Sequence, residues 1–311
     1  MAHRTASGAR IAACGACVCA LLLPGRSRAQ QDMGHKMLGT AGLRAGAQLA
    51  PGVYIADRLV AYSADEIVDR HGQHLDVGLD STATAGAIGV KAVVLLPVLD
   101  THLGFTLALP VARVHVDTLK PLASVDRFGL GDLYVQPLQL GWRFPYLDVV
   151  TGYGLYVPTG RYEPRGGSGV GRGHATHQIS LGSAVYFDRA KTWHLSALAS
   201  YDINLKKRDI DVTRGESIQI QGGAGTRLFR LFDVGLVGYA LWQVGDDRGS
   251  DLPPVLAGAR DRALGLGGEA GVLIPPMRGQ LSIRYVRDLV ARSRPLGEVF
   301  VLSFTVALGN R

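Results

Sequence analysis

The chain is nearly without cysteine. It has three in 311 residues, Cys14, Cys17 and Cys19, all near the N-terminus. It also lacks a long apolar run: beyond residue 30 the longest unbroken one is Ala92 to Leu99, which contains a proline and falls well short of the ~20 residues a spanning helix needs. Residues 30 to 311 therefore hold no disulfide framework, thiol nucleophile, cysteine-based zinc site or membrane helix. Excess charge is scarce too. Of the 33 basic residues, Arg4, Arg10, Arg26 and Arg28 fall in the first 29 positions, where there is no acid. The other 29 face 26 acids, a net charge of about +3 with no basic stripe. That balance excludes nucleic acid as a partner. A hydrophobic content of 47% excludes intrinsic disorder, and 41 glycines argue against a helical bundle.

The first 29 residues read as an export signal. Arg4 and Arg10 form a positive region, Ile11 to Leu23 is apolar, Pro24-Gly25 breaks the run, and Ser27-Arg28-Ala29 places small residues at the positions a signal peptidase reads. Cleavage is expected after Ala29. All three cysteines leave with this segment.

What the remainder holds is alternation with a period of two. Phe300, Leu302, Phe304, Val306 and Leu308 alternate with Val301, Ser303, Thr305, Ala307 and Gly309; Ile218 and Ile220 alternate with Gln219 and Gln221. A period of two means sheet. Twelve strands are expected, near 52–62, 84–97, 103–115, 130–142, 146–158, 177–187, 191–203, 216–228, 231–243, 263–275, 278–289 and 297–308. Links after odd-numbered strands run from about 7 to 20 residues, and those after even-numbered strands from about 2 to 5. Such sorting is the mark of an antiparallel up-and-down transmembrane β-barrel of the bacterial outer membrane. The expected fold is therefore all-β, with a signal peptide (1–29), a short N-terminal segment (30–50) and a barrel (51–311). Its expected surroundings are outer-membrane lipid, lipopolysaccharide and the barrel assembly machinery.

A charge facing lipid at the bilayer midplane costs ~2 to 4 kcal/mol. Lys91, Gln219, Gln221, Arg227, Glu269 and Arg284, which fall on the polar side of their strands, are accordingly assigned to the lumen, either as a path lining or as a stiffening network. Residues 30–50 are too few for a plug domain, yet Gly39, Gly42 and Gly46 permit a tight course through a narrow barrel, so this segment is a candidate hatch.

Motifs that invite a catalytic reading lack their context. The run from Gly166 to Gly173 has no βαβ unit around it and no lysine to complete a phosphate loop. His177 and Ser180 fall on opposite strand faces, with no orienting acid beside them. Asp246, Asp247 and Asp251 read as a solvated loop more readily than as a cation site. No catalytic residue, cofactor or metal is assigned, and an enzyme is not expected.

Several segments carry a resemblance: Gly39 to Gly46 leading into Pro51-Gly52-Val53-Tyr54; Tyr62-Ser63-Ala64-Asp65 with Asp69 and Gly72; Gly129-Leu130-Gly131-Asp132 with Pro137 and Gly141-Trp142; Pro158 to Tyr162; Gly238-Tyr239 with Asp246-Asp247 and Gly249; and Arg284-Tyr285 with Arg294-Pro295. In their order and spacing the chain resembles the outer-membrane proteins of the MetA-pathway of phenol degradation family, which includes SphA-like transporters. The resemblance implies passage of small hydrophobic, often aromatic, compounds across the outer membrane. The alternative is a structural or surface-interaction barrel that transports nothing.

Overall fold

The computed structural model describes residues 33–35, 37–119, 122–164 and 169–308. The expected signal peptide and its cleavage point lie outside them. The strands are β1 (Gly52–Val68), β2 (His74–Leu75), β3 (Leu79–Leu96), β4 (Thr101–Leu119), β5 (Leu122–Leu130), β6 (Leu133–Arg143), β7 (Leu147–Val157), β8 (Thr176–Tyr186), β9 (Trp193–Asn204), β10 (Ser217–Leu228), β11 (Phe232–Gln243), β12 (Arg262–Ile274), β13 (Gly279–Arg292) and β14 (Arg294–Leu308). Twelve of them form the wall, each antiparallel to the next, and β14 closes on β1 from Val53↔Leu308 to Val68↔Arg294. The other two are accessory: β2 pairs with the tip of β1, and β5 folds back on the upper half of β4. Closure leaves the wall no open edge, which is what a sheet in lipid requires, because an unsatisfied backbone group there costs several kcal/mol.

The outer face is an apolar band. Leu59, Ile88, Leu107, Leu181, Leu236 and Leu266 are all exposed on it. Aromatic residues gather at its two levels, with Phe144, Tyr146, Phe187 and Trp193 at the short-turn end and Tyr153, Tyr201, Trp242 and Tyr285 nearer the long-loop end. Such paired girdles mark the two interfaces of a bilayer. One acid breaks the band: Asp57 pairs with Ile88 and Phe304, both outward-facing.

All twelve expected strands are present, but three of the expected long links are largely strand. β1 and β3 continue to Val68 and Leu79, β4 and β5 make a hairpin, and β13 reaches β14 through Ser293 alone, whose φ is +54°. These extensions stand above the apolar band, where the outer face meets water and need not be apolar, while their inner faces pack together around Ala64, Ile67, Val77 and Leu79. The ion pair of Arg113 with Asp126 at 2.7 Å, for example, lies on the outer face of the β4–β5 hairpin. Among the described residues, true loops remain at 158–164, 169–175, 205–216 and 244–261.

Candidate functional site

Residues 37–50 run down the inside of the barrel to β1, touching inward residues of β6 to β13 in turn and, at Gly39, of β14. The Ala41 amide donates to Gln221 Oε1 at 3.1 Å, and the Leu43 amide donates to Glu269 Oε2 at 2.9 Å. Ser196 Oγ donates to the Leu43 carbonyl, and Arg284 Nη1 donates to the Gly39 carbonyl at 2.9 Å. Arg44 reaches Asp233 at 3.4 Å. Lower still, the Gln48 amide donates to Asp148, and Gln139 Nε2 donates to Gln48 Oε1. Higher up, His35 bridges Asp132 and Thr176, each at 2.9 Å.

Two glycines of the segment are required by space. A Cβ on Gly42 would come within 2.0 Å of the Arg284 and Glu269 side chains, and one on Gly46 within 2.2 Å of the Ser183 carbonyl. Gly39 has φ +74° and lies against Tyr239 and Val299. Between them Leu43, only 1% exposed, rests on a floor of wall glycines, Gly223, Gly225 and Gly235, whose absent side chains make room for it.

The six polar residues assigned to the lumen from the sequence all share the inner face. Glu269 and Arg284 pair at 2.8 Å. Arg227 makes a two-pronged pair with Asp233 at 2.8 and 2.7 Å. Gln219 and Gln221 continue toward Asp202 on β9. These five belong to the wall that the N-terminal segment covers, and only Lys91, which donates to Gln139 at 2.6 Å, lies on the other side. Asp148, Asp202 and Asp233 are equally built into this network but were not singled out from the sequence. Each lies one or two residues from a strand end, where alternation is weakest, and only the wall glycines signalled that a backbone approaches there.

The opposite wall is different in kind. Between Ser81 and Lys91 the inward residues of β3 are Ala83, Ala85, Ala87 and Gly89, and in register with them β4 presents Val114, Ala112, Pro110 and Ala108. All are small to medium in size, and all are partly accessible, whereas Gln178, Ser180, Ser196, Ser200, Gln219 and Gln221 on the covered wall are buried. Arg58, in register with Ala87 on β1, is exposed although it points inward. The N-terminal segment thus leaves an open strip along β1, β3 and β4. At the long-loop end the strip widens into a cavity of about 290 Å³, whose apolar lining includes Met37, Tyr62, Leu79, Val114, Val116 and Val299.

The loops above are bound to each other. Asp211 takes hydrogen bonds from the Ser250 amide and hydroxyl and pairs with Lys206 at 2.8 Å; Arg214 and Asp261 form a buried pair at 2.9 Å. The three acids weighed as a cation site are engaged here: Asp246 with Arg260, Asp247 with Gln243 and the Gly215 amide, Asp251 with the Asp211 amide. Among the described residues no group of three or more potential ligands is arranged for a metal. His177 bonds Tyr153, while Ser180 donates to the Gly152 carbonyl, so the two do not meet. Gly166, Gly167 and Ser168 lie outside the described residues.

Residues 64–304 match the family of the MetA-pathway of phenol degradation. The chain belongs to that family. No curated protein matches it significantly. Among solved structures, an outer membrane channel from Pseudomonas putida F1 superposes with a TM-score of 0.72 at 16% identity, covering 88% of this chain and all of that one. The translocator domain of the autotransporter NalP from Neisseria meningitidis gives 0.49 at 10% identity, over 84% of this chain and 90% of that one. A FadL homologue from Pseudomonas aeruginosa gives 0.42 at 12%, over 83% and 89%. The first match shows the fold, a twelve-stranded outer-membrane barrel. The lower scores carry no further argument.

Proposed function

We propose that the protein is an outer-membrane channel for small hydrophobic compounds, aromatic ones included, and that they pass along the strip between the N-terminal segment and the β1–β3–β4 wall. The observation that carries this reading is the continuity of the apolar cavity with the accessible alanines and glycine of β3 and β4. A cavity of ~150 Å³ lined by aliphatic side chains takes up benzene, so 290 Å³ accommodates one substituted ring. By the rule that outer-membrane barrels keep their short turns in the periplasm, the cavity opens outward and the strip leads inward to Lys91. The segment from Gly39 to Gln48 acts as the hatch. It covers the polar wall from β6 to β13 and leaves a narrow passage along small side chains of β3 and β4, with Arg58 and Lys91 as the charged groups beside it. The family's link with phenol degradation and the channel character of the Pseudomonas putida protein support this reading.

The test is uptake by intact Gram-negative cells, whose lipopolysaccharide leaflet is the barrier to such compounds. Cells producing the protein accumulate radiolabelled toluene faster than cells carrying an empty vector. Equal rates would instead support a barrel that serves only as a structural or surface-interaction element.

A further inference from the structure

The cavity at the long-loop end is apolar but not neutral. Among the described residues lining it are three arginines, Arg127, Arg172 and Arg294, and not one aspartate or glutamate. Arg294 stands out. It begins β14 directly after the Ser293 turn, is only 6% exposed, and its Nε and Nη1 meet no hydrogen-bond partner. The nearby carboxylate of Asp288 is committed elsewhere, since it accepts from Tyr239 Oη at 2.7 Å and from the Gly297 amide at 3.0 Å. A buried guanidinium with two free donors is costly to keep, because a charged group removed from water without a partner loses several kcal/mol of solvation. A guanidinium grips a carboxylate along one edge, Nε with Nη2 or Nη1 with Nη2, through two parallel N–H···O bonds, and each unpartnered donor leaves one such edge open.

We propose that the cavity is a binding site for an aromatic monocarboxylate, whose carboxylate pairs with Arg294 while its ring lies among Tyr62, Leu79, Val114 and Val299. The two parts of the site select together. The apolar lining rejects small inorganic anions, which would lose their hydration to aliphatic walls, and Arg294 discriminates against the neutral ring compound, which leaves its donors unmet. No aspartate or glutamate stands in the described lining itself, and Asp288 behind it keeps its hydrogen bonds to Tyr239 and the Gly297 amide. This inference rests on the channel reading and refines it, because the preferred cargo becomes an amphipathic acid.

Equilibrium binding to the full-length protein in detergent tests it, with benzoate and methyl benzoate as the two probes at neutral pH. Wild-type protein is expected to bind benzoate more tightly than the ester. In Arg294→Met, checked for folding by its heat-dependent gel mobility, the benzoate-to-ester affinity ratio falls at least tenfold, and Arg294→Lys falls between the two. A ratio that is the same in wild type and Arg294→Met overturns the proposal, as does binding of the ester in preference to benzoate by the wild type; either result leaves a channel for neutral compounds standing. Failure of both probes to bind overturns the proposal and removes the channel reading's support from this cavity as well.

Discussion

Glu269 and Arg284 face each other across β12 and β13 at 2.8 Å, and together they hold the N-terminal segment: Glu269 accepts from the Leu43 amide and Arg284 donates to the Gly39 carbonyl. Both are buried, so each is the other's main compensation for lost solvation. Removing one partner of a buried pair costs about 3 to 5 kcal/mol because the other charge is left uncompensated. Glu269→Ala should therefore destabilise the barrel by about 3 kcal/mol in urea unfolding. Glu269→Leu with Arg284→Met should recover most of the loss.

Gly42 sits tight against that same pair, with its hypothetical Cβ 2.0 Å from both side chains, so a side chain there must displace either the pair or the segment. Gly42→Val is expected to displace the segment while the closed ladder of wall strands persists, since the wall does not depend on the segment for its own hydrogen bonds. Single-channel conductance in a planar bilayer should rise, as it should on deleting residues 37–48. Unchanged conductance in both would show that the segment does not obstruct the lumen.

The strand pattern, the alternation of long and short links and the inner-face placement of Arg227, Glu269 and Arg284 were legible in the sequence because lipid enforces a strict apolar outer face. Where that constraint ends, legibility ends. The strand extensions to Val68 and Arg292 carry mixed outer faces such as Asp65, Glu66 and Arg287, which read as loop. The open strip was invisible for another reason: alanine and glycine at Ala85, Ala87 and Gly89 are unremarkable one at a time, and only the segment's attachment to the far wall turns them into a passage. Arg294 falls in the link expected between the strands at 278–289 and 297–308, and nothing in the sequence marks it as buried in a cavity wall.

Asp57 is a carboxylate on the lipid face, flanked by Ile88 and Phe304. An acid there costs less than the ~2 to 4 kcal/mol of a lysine or arginine at the midplane, but the cost is real. Asp57→Leu should stabilise the barrel by about 1 kcal/mol, read as a higher urea midpoint in vesicles. A lower midpoint would mean that Asp57 has a partner in the membrane.

In the loops, the hydrogen bond from Lys206, followed by those from Ser250, holds the Asp211 carboxyl well below the usual carboxylate range. A depressed folded-state pKa contributes stability that is present above the unfolded value and is lost as pH falls through the folded one. The clasp between loops 205–216 and 244–261 should thus persist from neutral pH down to about pH 4, near the ordinary aspartate value, and open only in stronger acid. Limited proteolysis within 244–261 reads this directly. Asp211→Asn should be cut at neutral pH, whereas the wild type should stay protected in mild acid.

The central claim is that cargo moves along the strip lined by β3 and β4, and the most direct measurement is the uptake of radiolabelled toluene by cells producing Ala87→Phe. Ala87 faces Arg58 on one side and Pro110 on the other in the middle of the strip, and a phenyl ring there fills the passage without touching the hatch contacts on β6 to β13. With equal amounts of folded protein in the outer membrane, uptake should fall to the level of cells lacking the protein. Uptake equal to that of the wild type would contradict the account.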